Sequence, residues 1–161
     1  MTGGGSSIPA VQRLLSTLAA GRRCAEAGTA FGEGATAIAE TAQSLVTVEL
    51  DEERAQLARA RLDGLANVEL VVGDWRAVLP ERAPFELLFL DGGGLKQEPE
   101  VVGPLAVRLL GQGGLLVIDD LTPGLAGHDP ARSFLLEHEE LVATEILTTP
   151  HTAAIVAARR F

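Results

Sequence analysis

The sequence predicts an α/β domain built on one doubly wound sheet, mostly parallel and closed by a C-terminal antiparallel hairpin. Three observations carry this. Strand-like and helix-like stretches alternate through residue 120, the pattern of repeated strand–helix–strand units. The runs Phe85–Leu90 and Leu115–Ile118 are apolar throughout, as in strands covered on both faces. The last two runs, Leu141–Thr148 and Thr152–Ala158, lie too close together for a crossover helix and must pair antiparallel.

In chain order, residues 1–7 read as a flexible start, with Ser7 as N-cap of a helix through Pro9, Val11, Leu14, Leu15 and Leu18 that stops at Gly21. Residues 8–161 then form a single domain. Arg22–Ala27 is the first strand. A glycine-rich turn opens into a helix over Gly34–Gln43, and Ser44–Glu49 is the second strand. Asp51–Leu65 is a helix with acids early and arginines late, which suits its dipole. Asn67–Val72 is a strand broken by Gly73-Asp74, and Trp75–Leu79 is a short helix before Pro80. The strand Phe85–Leu90 ends at Asp91. A helix over Glu98–Leu110 leads to the strand Leu115–Ile118, which ends at Asp119-Asp120. Asp129-Pro130 caps a helix to Glu137.

With 161 residues, 47% of them hydrophobic, the chain suits one soluble α/β core. The net charge of −9 argues against a nucleic-acid partner, which needs a basic face, and favours a small soluble substrate or cations. Cys24 is the only cysteine, so it reads as a small core residue with no intramolecular disulfide. No stretch has the character of a signal peptide or the length of a membrane span, so the expected location is cytoplasmic.

The chemistry concentrates in Glu26-Ala27-Gly28-Thr29-Ala30-Phe31-Gly32-Glu33-Gly34 and in Glu49, which follows Gly28 by 21 residues. Glycines let the backbone approach a ligand where a Cβ would block it. An acid closing the second strand is placed to accept from ribose hydroxyls. The chain therefore reads as a binder of a nucleoside-like cofactor. His128 is a conceivable general base in the loop after Asp120, though a surface position is the plainer reading. His138, His151 and the run Glu137, Glu139, Glu140 read as solvated surface.

These motifs, in this order, resemble the class I S-adenosylmethionine-dependent methyltransferases, and most of all the small cation-dependent O-methyltransferases of the catechol and caffeoyl-coenzyme A type. The resemblance implies a Rossmann-like sheet and S-adenosylmethionine as cofactor. Glu26, Gly28, Thr29, Gly32 and Gly34 would pass under its methionine part. Glu49, followed by Leu50, would hold the ribose, and Gly73, Asp74 and Trp75 would meet the adenine. Asp91 closes the fourth strand, and Leu109-Leu110-Gly111-Gln112-Gly113-Gly114 leads to Asp119-Asp120. In the cation-dependent group these three acids hold Mg²⁺ or another divalent cation, which binds neighbouring hydroxyls of a small acceptor. Three converging carboxylates would repel one another unless a cation or protons intervened. The implied catalytic set is Asp91, Lys96 and Asp119; Asp91 is also a cofactor-binding candidate, and the alternative to a metal site has it contact the cofactor's amino group while Asp119 or Asp120 caps a loop.

The chain departs from that pattern in three places. The group places a lysine three residues after the strand-four aspartate, where this chain has Gly94; its only lysine is Lys96. Glu33 stands where an aromatic is usual. The N-terminal helices that cover the site in longer members are mostly missing from this sequence. The pocket is then open, completed by a second copy in a homodimer, or lost, and a non-catalytic or partner-dependent S-adenosylmethionine binder is the alternative. A nicotinamide dehydrogenase fits poorly with the glycine spacing and the terminal hairpin.

Overall fold

In the computed structural model, which describes residues 7–124 and 129–161, the sheet has the order β3-β2-β1-β4-β5-β7-β6. Its strands are β1 (Arg23–Ala27), β2 (Ser44–Glu49), β3 (Val68–Val72), β4 (Phe85–Leu90), β5 (Leu110–Leu121), β6 (Leu141–Thr149) and β7 (Thr152–Arg159). The first five pair in parallel, and β7 pairs antiparallel with both β5 and β6. The helices are α1 (Pro9–Ala19), α2 (Glu33–Ala39), α3 (Glu52–Leu62), α4 (Trp75–Val78), α5 (Pro99–Leu109) and α6 (Pro130–Glu137), with a 3₁₀ turn over Leu79–Glu81. The predicted doubly wound sheet with its terminal hairpin is thus the observed one.

Period-two alternation assigns each strand residue to a face. Cys24, Leu45, Leu87, Phe89 and Val117 pack under α1, α2 and α3 through Val11, Leu15, Ala35, Ile38, Ala58 and Leu62. Ala25, Ala27, Val48, Leu88, Leu90, Leu116 and Ile118 pack on the other face against Trp75, Leu79, α5 and α6. Strand order reverses between β1 and β4, so their carboxyl ends diverge into a crevice, the usual ligand position in such sheets.

Several boundaries differ from the sequence reading. Ser7 does not cap α1: Ile8 is the N-cap, without a side-chain bond, and Ser7 is buried beside Gly34. Helix α2 ends at Ala39 because the chain turns there and Gln43 N donates to Arg22 O, starting β2. Helix α3 begins after Asp51, whose carboxylate accepts from the amides of Glu53 and Arg54, and stops before Gly64. Strand β5 is much longer than Leu115–Ile118, because the glycine-rich lead-in still pairs with β4 at Phe85–Leu110. Asp119 and Asp120 therefore lie inside β5, at a break in its register with β7, and not beyond its end. The expected flexible start, apart from Ser7, and His128 lie outside the described residues.

Candidate functional site

A cavity of about 340 Å³ opens at the carboxyl ends of β1, β2 and β4, a volume within the range of small-ligand sites. Its walls include the predicted Gly28, Glu49, Leu50, Gly73, Asp74, Trp75 and Asp91, together with Ala30, Val48, Arg54, Arg76 and Gly92–Gly94. Glu26, Thr29, Gly32 and Gly34 do not line it; they build the turn behind it.

Gly28 sits at φ +96°, and a Cβ there would collide with the carbonyl oxygen of Asp91. The glycine thus lets the β1 turn lie against the end of β4. Asp91 N donates to Ala27 O at 3.0 Å, and Gly28 N donates to Val48 O at 2.9 Å, so both neighbouring strands hold the turn. Ala30 adopts φ +48°, a left-handed conformation that costs a non-glycine residue about 1–2 kcal/mol. Its amide gains a charge-assisted bond in return, donating to Glu49 Oε2 at 2.8 Å. The other oxygen, Glu49 Oε1, accepts from Asp51 N at 3.0 Å. Glu49 is thereby locked by two backbone amides while its carboxylate still borders the cavity.

A second layer lies beneath the turn. Glu26, Thr47 and Thr29 are all buried. Thr47 Oγ1 donates to Glu26 Oε2 at 2.5 Å and is 2.6 Å from Thr29 Oγ1. Burial, above all, holds the Glu26 carboxyl well above the usual carboxylate range; the Thr47 bond opposes this, and the charges of Asp91, Glu49 and Asp119 add to it. Cys24 is buried with a thiol pushed up to about 12, in keeping with an inert core residue.

On the third side of the cavity, Asp74 caps α4 by accepting from Arg76 N at 2.9 Å. The Trp75 indole is 7% exposed and donates from Nε1 to Gly93 O at 3.1 Å, tying the β3–α4 turn to the loop after β4.

Asp91, Asp119 and Asp120 each offer a carboxylate oxygen, and these atoms lie within 4.8 Å of one another. Burial followed by repulsion from Asp119 and Asp120 pushes Asp91 up to about 7; burial followed by repulsion from Asp120 pushes Asp119 up to about 6. Asp120 has φ +56°, so the register break in β5 turns its backbone at the cluster. Lys96 Nζ donates to Asp120 O at 3.3 Å, and its charge acts on both Asp91 and Asp119. A lysine at position 94 would be strained, since Gly94 sits at φ +89° with a Cβ position 3.3 Å from Val102 Cγ2. The chain thus brings its cation to the acids from two residues further on.

Sequence reasoning missed Thr47, Arg54, Arg76 and the backbone of Gly92-Gly93. Thr47 left a trace, being a polar residue in phase with the apolar Leu45 of the same strand.

The family model described as a methyltransferase domain matches residues 25–121. The chain belongs to that family. It falls within the class I S-adenosylmethionine-dependent methyltransferases. A protein-L-isoaspartate O-methyltransferase of Methylorubrum populi is 37% identical over 105 residues, covering 65% of this chain and 47% of the relative. The chain spans about half the length, or less, of the curated relatives it matches. Among solved structures, cofactor-bound Rv0187 from MTB is 29% identical with a TM-score of 0.82, covering 96% of this chain and 82% of that one. An O-methyltransferase from Bacillus cereus in complex with SAH has the same fold, with a TM-score of 0.78 at 21% identity and coverage of 99% and 84%. In this methyltransferase domain the family match contains the glycine turn, Glu49, Asp91 and the paired aspartates of β5. No helix among the described residues is long and apolar enough to cross a membrane.

Proposed function

We propose that this methyltransferase domain binds S-adenosylmethionine in the cavity between β1, β2 and β4 and directs its methyl group to an oxygen of a small hydroxylated acceptor. The observation that carries the reading is the adjacency of two sites: the cavity walled by Gly28 and Glu49, and the Asp91–Asp119–Asp120 cluster faced by Lys96. When bound, the cofactor supplies a methyl group on a positively charged sulfur, whose charge disappears as the methyl leaves.

The residues present fit that ligand. Glu49 is fixed by Ala30 and Asp51 and presents its carboxylate to ribose hydroxyls. Leu50, Val48 and Trp75 offer apolar walls for a flat base, with Asp74 at its edge. Positioning is the main contribution such a site makes to in-line transfer. Glu49→Gln keeps the shape and removes the charge; the expected result is cofactor binding weaker by about tenfold, the size of one charged hydrogen-bond pair, read by calorimetric titration.

The acid cluster fits a hard divalent cation such as Mg²⁺, Mn²⁺ or Ca²⁺, which takes oxygen ligands. The raised carboxyls of Asp91 and Asp119 carry the repulsion that such an ion relieves. The ion would lower the pKa of an acceptor hydroxyl and orient it. The Lys96 ammonium, anchored on Asp120 O, screens the negative charge that develops on the acceptor oxygen as its proton passes to water. Lys96→Met is expected to reduce turnover by on the order of 10², a typical share for one positioned charge-stabilising donor, and to leave cofactor affinity within about twofold.

A second reading rests on the isoaspartate methyltransferases, of which several are 30–37% identical to this chain. It makes the acceptor an isoaspartyl carboxylate in a peptide, which is already ionised and needs no cation. The test is S-adenosylhomocysteine formation with catechol-type and isoaspartyl-peptide acceptors, each with Mg²⁺ and with EDTA. Turnover of the catechols that EDTA abolishes supports the first reading. Turnover of the peptide in EDTA supports the second. Tight cofactor binding with neither turnover makes the chain a cofactor-binding protein that needs a partner or does not catalyse.

A further inference from the structure

Beneath the cavity, β1 and β2 share a buried polar connection in an otherwise apolar layer. Glu26 and Thr47 are register partners, and their side chains point to the face covered by α2. Thr47 is fully buried, and Glu26 and Thr29 nearly so. Each threonine has one proton to donate; Thr47 donates its proton to Glu26, so in the Thr29–Thr47 bond Thr29 is the donor. The Thr47 hydroxyl is the only member bonded to both others, so removing it releases both ends at once. Glu26 Oε1 in turn packs against the first turn of α2, so closely that a Cβ on Gly34 would collide with it. The connection therefore holds the start of the glycine turn and packs against the helix that follows it.

We propose that Thr47, which does not itself line the cavity, is a positioning residue for cofactor capture: its hydroxyl pins Thr29 of the glycine turn to β2 and holds the Glu26 carboxyl in one orientation behind that turn. This rests on the cavity being the S-adenosylmethionine site. It explains a polar residue in a strand that packing alone would fill with valine. The neighbouring strap from Ala30 N to Glu49 crosses the same β1–β2 gap at the cavity surface. Thr47 supplies the inner strap, and the outer one holds the ribose-binding acid. Without the inner strap, Thr29 loses its acceptor on β2 and Glu26 loses its donor. The turn then samples geometries in which Gly28 and Ala30 no longer present their backbone to the ligand.

The test is calorimetric titration of S-adenosylmethionine and S-adenosylhomocysteine into wild type, Thr47→Val, Thr47→Ser and Ile155→Val, with thermal unfolding of each. Ile155 is buried in β7, away from the cavity, and reports what a loss of packing alone does. The expected result is affinity about tenfold weaker in Thr47→Val, restored to within about threefold in Thr47→Ser, and unchanged in Ile155→Val. If Thr47→Val does not fold, Thr47→Ala, which leaves room for a water, takes its place with the same expectation. Wild-type affinity in the valine or alanine protein overturns the proposal. So does a serine protein as weak as the valine one, because packing by the methyl group would then be the cause. Failure of wild type to bind either ligand overturns the cofactor reading itself, and the role of Thr47 with it.

Discussion

Gly28→Ala is expected to abolish cofactor binding and to lower the melting temperature by about 10 °C. Two penalties combine. At φ +96° an alanine is strained by roughly 1–3 kcal/mol. Its Cβ also overlaps the Asp91 carbonyl oxygen, and relieving that overlap forces β1 and β4 apart at about the 1–3 kcal/mol typical of overpacking. For a domain of this size each kcal/mol is worth about 2–4 °C. The same movement displaces Asp91 from Asp119 and Asp120 and breaks the amide bonds that Gly28 and Asp91 make with β2 and β1. Calorimetric titration and thermal unfolding of one preparation check both halves. An alanine protein that melts and binds like wild type would show that the close approach of these two strand ends is not needed for the site.

Chelation is expected to produce the second large effect. Removing a Lewis acid that contributes several kcal/mol lowers turnover of a hydroxylated acceptor by about 10³. The acid cluster also predicts a stability signature that needs no acceptor. Asp91 and Asp119 bind protons more tightly in the folded state, at about 7 and 6, than in the unfolded chain at about 4. Their stabilising contribution is therefore fully present below about pH 4 and is lost as the pH rises through 6 and 7. In EDTA, Asp119→Asn should melt near wild type at pH 5, where the carboxyl is largely protonated and close in shape to an amide. At pH 8 the variant should melt about 5 °C higher, because the repulsion is gone. Mg²⁺ or Mn²⁺ should raise the wild-type melting temperature at pH 8, raise it little at pH 5, and leave Asp119→Asn almost unmoved. A variant less stable than wild type at pH 8 in EDTA would mean that the three carboxylates do not strain one another in the folded protein.

Much of the site is legible in the amino-acid sequence because its parts are local. The glycine turn, the acid closing β2, the Gly73-Asp74 break and the paired aspartates each announce themselves within a few residues, at the ends of apolar runs that already mark strands. Parallel strands separated by helices bring those ends to one edge, so chain order and strand type are enough to place Glu49, Asp74 and Asp91 around one cavity. The terminal hairpin is equally plain, since two strands a few residues apart have no other way to pair.

What the sequence could not determine depends on pairs of residues far apart in the chain. That Lys96 reaches the acid cluster follows from the Gly92–Gly94 run at positive φ and the bond of its side chain to Asp120 O. That Asp119 and Asp120 sit within a strand follows from a register break between β5 and β7, which only the pairing reveals. Whether Thr47 is a filler or a strap depends on its register with Glu26, 21 residues away in sequence. Local pattern determined the strands, their direction and the residues at their ends, because backbone geometry repeats over two or four residues. Tertiary packing decided which side chains share a buried proton, which carboxylates strain one another and which cation answers them. Those energies arise only between groups that folding brings within hydrogen-bond or Coulomb range in a poorly solvated place.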